Sequence, residues 1–169
     1  MTEQNITLLI HTETGIFLGI LSLPSTMRLF DFINLPAQFL NLTGKEMSDE
    51  TDAATELNKL HINKNAIKVL TTVVEDEGRG SAITRKVYQF VQKKTVRVRL
   101  YMTGYEITGN LHSLDDLPLS NTLEKDLPFL PCTEVNIRDI RNNKSWHADF
   151  AALHKNNISV IEKVDNIIA

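Results

Sequence analysis

The side chains that could carry chemistry are few and scattered. Five histidines occur, His11, His61, His112, His147 and His154, and no two stand at a short metal-ligating spacing. Cys132 follows Pro131 in the apolar run FLPC, the setting of an inert buried thiol rather than a nucleophile. As the only cysteine it can staple nothing within the chain, which excludes a disulfide framework and fits a reducing, cytoplasmic setting. Asp115 and Asp116 are adjacent in a loop beside Leu117-Pro118, whereas acid–base carboxylates need separated, opposed environments. EGRG at 77–80 is too short of glycine for a phosphate loop, and no nucleophile elbow or dinucleotide fingerprint is present. The expectation is a protein that is not an enzyme and carries no cofactor or metal.

Charge offers a second kind of chemistry. Residues 1–77 hold 5 Lys/Arg and 11 Asp/Glu, whereas residues 78–169 hold 13 and 10. Residues 79–99 carry seven basic side chains and no acid, among them Arg97 and Arg99. Two readings stand: a solvated linker and edge strand protected by cations, or an anion-facing stripe suited to nucleic acid.

The elements that must position these residues are mostly strands. ITLLIHTETGIFLGILSL reads as two strands about Thr14-Gly15, and VRVRLYMTGYEITGNLH as two more about Thr103-Gly104. Val96, Val98, Leu100 and Met102 share one face and Arg97 and Arg99 the other, the period of a half-buried strand. Gly19 and Gly109 lie inside strand patterns and mark sharp bends or close backbone approach. Ser25 or Thr26 is placed to cap a short helix with Leu29, Phe32 and Ile33 on one face, stopped by Pro36, and LSNTLEKDLP repeats the device. Trp146, Ala148 and Phe150 alternate in a later strand, and the counterpart in the first half, within EMSDETDAATELNKLHI, is looser and more acidic. SAITRKVYQFVQKK fits a helix face or a strand equally.

These patterns occur twice. Displaced by 90 residues, Ile6 falls on Val96, Gly19 on Gly109, Leu21 on Leu111, Leu29 on Leu119, and Phe39-Leu40 on Phe129-Leu130. INKNAIKVL (62–70) then matches LHKNNISVI (153–161) at a displacement of 91. Self-similarity of this kind predicts an internal duplication. The chain divides into a first small barrel at 1–77, a basic connecting segment at 78–94 and a second small barrel at 95–169, each of five short strands.

The repeated phrase resembles the second sequence motif of the Sm-like family, whose bacterial, Hfq-type branch of RNA chaperones has Lys-His-Ala-Ile-Ser there. Lys64-Asn65-Ala66-Ile67 and Lys155-Asn156-Asn157-Ile158-Ser159 stand in its place, and Gly15, Gly19, Leu21, Asp31 and Asn34 are similar to the first motif. The match is incomplete: Asn65 and Asn156 replace the family's histidine, and Asn121 and Glu124 replace Asp and Asn in the second copy. The duplicated arrangement also resembles uncharacterised bacterial domain families, which carry no function across. The Sm-like resemblance implies a mainly β fold of two tandem five-stranded Sm-like or SH3-like barrels with short helices. It implies edge-to-edge joining, last strand to fourth strand, and a pocket for single-stranded RNA lined by Lys64 and Asn65, and by Lys155 and Asn156. Turn chemistry alone also accounts for those residues. Trp146, in the strand that makes ring contacts, is the candidate assembly edge. The expected function is a non-enzymatic interaction module that meets a protein partner or itself. The alternative is RNA binding through the motif turns and the basic stripe. No apolar run is long enough to span a membrane, and no signal peptide is expected.

Overall fold

The computed structural model describes residues 2–47, 56–73, 93–114 and 118–164. The basic connecting segment at 78–94 lies almost wholly outside the described residues, as do Asp115 and Asp116.

The fold is mainly β. The first half holds β1 (Glu3–Thr12), β2 (Ile16–Pro24), the one-turn helix α1 (Leu29–Ile33), β3 (Phe39–Glu46), β4 (Asn58–Asn63) and β5 (Ile67–Thr72). The second holds β6 (Lys93–Met102), β7 (Tyr105–Leu114), α2 (Leu119–Leu123), β8 (Phe129–Asp139), β9 (Ser145–His154) and β10 (Ile158–Lys163). A single 3-10 turn, Lys64–Ala66 or Lys155–Asn157, joins the last two strands of each half. The alternation in β6 holds: Val96, Val98, Leu100 and Met102 are buried, and Arg97 and Arg99 face outward. Thr103-Gly104 makes the β6–β7 turn, with Gly104 at φ +84°, a conformation open to glycine. Gly19 and Gly109 mark close approaches, as expected. A Cβ would lie 1.9 Å from Leu42 Cδ1 at the first and 2.3 Å from Cys132 Sγ at the second.

The helix start differs from expectation. Neither Ser25 nor Thr26 caps α1, because the Met27 N–H donates to Pro24 O and spends Ser25-Thr26 on a turn. Arg28 takes the cap position with no side-chain cap bond.

The ten strands form one antiparallel sheet in the order β10-β6-β7-β8-β9-β5-β1-β2-β3-β4. This departs from the expectation of two tandem small barrels, each closed or nearly closed. The sheet is continuous, and β4 and β10 are its ends. The outer edge of β5 is satisfied by β9 of the other half, through Val69↔Leu153, Leu70↔Ala152 and Thr71↔Ala151, rather than by closure on its own half. Within each half the order is the same, fifth strand, first, second, third, fourth.

The core has two apolar clusters, each completed from the other half. Phe129, Phe150 and Ala152 pack among Leu8, Ile10, Leu29 and Ile33 of the first half. Val69 packs among Val98, Leu130 and Leu153 of the second.

Candidate functional site at the seam between the halves

The β5–β9 seam carries a cavity at one end, and a polar cluster about the buried His11 also joins the halves. The cavity, of about 250 Å³, is walled by Leu35, Pro36, Ala37 and Pro128, with polar groups from Asn34, Gln38, Lys64, Asn65 and His154. Four of the five come from the first half, and His154 comes from the second.

Lys64 opens the 3-10 turn and is buried, with its Nζ donating to Leu35 O at 2.9 Å. Burial holds its ammonium below the usual lysine range. Lys155 of the second half is half-buried and donates to Leu123 O at 3.1 Å and to Lys125 O. Both motif lysines therefore satisfy carbonyls at or just past the C-terminus of a short helix, where a cation is favoured. Asn65 is exposed at the cavity rim, and its N–H donates to Asn63 Oδ1 at 3.0 Å.

His154 is 1% exposed, and neither ring nitrogen has a hydrogen-bond partner. Its ring meets Phe129 edge-on at 4.9 Å between centroids. Desolvation lowers its pKa, so the imidazole is neutral at pH 7 and presents one donor and one acceptor. Asn34 links the halves across the cavity floor. It donates to Phe30 O and accepts from the Phe129 N–H, each at 3.0 Å.

No family model, curated protein or solved structure matches the chain. The site is therefore read from its own chemistry.

Of the six residues proposed from the sequence to meet a ligand, Lys64, Asn65, Lys155, Asn156, Arg97 and Arg99, only Lys64 and Asn65 line the cavity. Lys155 and the exposed Asn156 belong to the corresponding turn of the second half and do not line it. Arg97 donates to Asn110 Oδ1 and Glu134 O, and Arg99 lies 3.5 Å from Glu106 and 3.7 Å from Glu162. Arg97 and Arg99 are thus partnered within their own half. Trp146 is half-buried and packs edge-on against His11 of β1, with centroids 4.8 Å apart.

Sequence reasoning passed over His154 and Asn157. The Asn157 Nδ2 donates to Ile67 O at 2.9 Å and pins the second half's turn to the start of β5. The only signal was position: both flank the repeated Lys-Asn phrase.

The polar cluster that joins the halves centres on His11, which is fully buried. Its Nδ1 is 3.4 Å from Tyr105 Oη, and Nε2 has no partner. Burial lowers its pKa to about 4, against the opposing pull of Asp139. Asp139 accepts two bonds from the Arg141 guanidinium, and the Lys68 Nζ donates to Thr103 O at 2.7 Å. Cys132 is buried and its thiol is pushed up to about 12 by desolvation, the inert state expected. Among the described residues no group of three or more His, Cys, Asp or Glu could hold a metal, and no helix is long and apolar enough to cross a membrane.

Proposed function

We propose that the chain is a non-enzymatic interaction module made of two copies of one Sm-like unit, fused through β5 and β9. One observation carries the reading. The seam joins the last strand of one half to the fourth strand of the other, the edge-to-edge joint that the Sm-like resemblance implies. The spacing of the elements supports it. β1 and β6, α1 and α2, and β3 and β8 begin 90 residues apart; the 3-10 turns and β5 and β10 begin 91 apart. The same two displacements relate the repeated phrases in the sequence. The two lysines that satisfy matching helix-end carbonyls add a side-chain correspondence. Residues whose chemistry is already spent on the fold suit a scaffold better than a reaction centre.

A second reading, single-stranded RNA binding, draws on the cavity. An asparagine at the rim and proline walls suit a flat base, with a neutral histidine whose unpartnered nitrogens lie buried behind that lining. Fluorescence anisotropy with oligo(U) and oligo(A) at two salt concentrations separates the two readings. The module reading expects no salt-sensitive binding at micromolar protein. Tight binding that weakens with salt and is lost in His154→Ala replaces it with the RNA reading.

A further inference from the structure

The seam inside the chain has unfilled counterparts at its two ends. Its first component is a plug: Phe129 at the start of β8 is 1% exposed because it inserts into the first half's cluster. The corresponding residue of the first half is Phe39, at the start of β3, and it is 47% exposed. The second component is a socket. In the first half Leu29 and Ile33 of α1 and Ile67 and Leu70 of β5 are all buried. Their counterparts Leu119, Leu123, Ile158 and Ile161 are only half-buried and pack around the second cluster with one side open. The third component is an edge. Val69 of β5 is fully buried against β9, and its counterpart Val160 of β10 is 53% exposed. Among the described residues no strand pairs with the outer edge of β10 or of β4.

We infer that these two ends fit each other, so that β10 of one copy adds to β4 of a second copy, and the second copy's Phe39 enters the open end of the first copy's second half. This rests on reading the halves as copies of one unit, and it names the partner of that module as the chain itself. The internal register, carried over, pairs Val160 with Ile62, Ile161 with His61 and Glu162 with Leu60. Glu124 stands where Asn34 accepts the Phe129 N–H, and its carboxylate can accept the same bond from Phe39. Lys59 and His61 replace Phe150 and Ala152, so the contact between chains is more polar than the internal seam and depends on concentration. The two surfaces differ, so the contact is head-to-tail and generates a ring or an open filament rather than a two-fold dimer.

The test is sedimentation velocity over a concentration series reaching hundreds of micromolar, on the whole chain. Wild type should associate reversibly. Phe39→Glu damages the plug and Val160→Glu the edge beside the socket, and each should weaken association by about thirtyfold or more. Both positions are exposed, and an unchanged thermal melt in dilute solution establishes that each variant folds; Phe39→Ser and Val160→Ser are milder substitutes. Ile140→Glu, an exposed apolar position on the β8–β9 turn, should leave association unchanged. Mixing the two damaged variants decides the geometry, because the intact socket of one meets the intact plug of the other. One-to-one heterodimers are expected. A monomeric wild type, association indifferent to Phe39, or no heterodimer on mixing overturns the head-to-tail contact. The first of these leaves the module reading to the oligonucleotide experiment, which does not depend on self-association.

Discussion

β5 and β10 close their halves in the same way, each antiparallel to the first strand of its own half, yet they end in opposite environments. Five of the six residues of β5 are buried and none of β10 is. Their apolar residues are similar, Ile-x-Val-Leu against Ile-x-Val-Ile, so hydropathy alone does not set burial. A strand has two faces and two edges, and the periodic pattern reports only the faces. β5 has β9 on its second edge and β10 has nothing there among the described residues. Charge marks the difference where it occurs: Glu162 and Lys163 stand where β5 has Thr71 and Thr72, the usual protection of an edge left open.

The contrast is most sharply broken at the two phenylalanines. Phe129→Ala should cost about 3–5 kcal/mol by urea denaturation, because it empties a filled site. Phe39→Ala, at low protein concentration, should stay within about 0.5 kcal/mol of wild type. Equal losses would mean that the two ends are not as different as their exposure indicates. Acid should act next, and at the seam. The folded His11 titrates near 4, below its ordinary 6.5, so between those values the unfolded chain binds more protons. Stability is then complete above about pH 6.5 and falls as pH drops towards 4, by about 2–3 kcal/mol from this group. His154, lowered in the same direction, adds to the loss. Urea midpoints at pH 7 and 4.5 check this, and His11→Asn should flatten the difference. A smaller loss than at Phe129 or His11 is expected at Trp146, which is half-buried against His11. Trp146→Ala should cost about 2 kcal/mol, less than a fully buried tryptophan, and leave self-association unaltered. A loss of association without a loss of stability would make Trp146 an outer edge after all.

Much of the fold is legible in the chain because it is local. Alternation in VRVRLYM, the turn at Thr103-Gly104 and the interior glycines Gly19 and Gly109 each specify a feature within a few residues. Displacements of 90 and then 91 residues also relate the starts of β1 and β6, β3 and β8, and β5 and β10, whereas β2 and β7, and β4 and β9, start 89 and 87 residues apart. Periodicity does not report the pairing of β5 with β9, since edge partners leave no periodic trace; only the Sm-like resemblance implies a joint of that kind. The site suffers from the same limit. Lysine in a Lys-Asn turn suggests a ligand, and only the packed structure reveals that Lys64 and Lys155 are spent on carbonyls at Leu35 and Leu123. His154 draws attention only once Phe129 and Pro128 are seen to enclose it beside residues far away in sequence.

The seam also has a timetable. Every strand pairing of the first half is complete once Thr72 has been made, but the strand that covers β5 ends at His154, roughly 80 residues later. At about 5–20 residues per second a ribosome takes some 4–16 s to add them. Through that interval a nascent chain displays an uncovered β5 edge and an empty place for Phe129, both complementary to the second half of another chain whose own seam has not yet closed. On crowded polysomes the same complementarity that completes the molecule favours exchange of halves between chains.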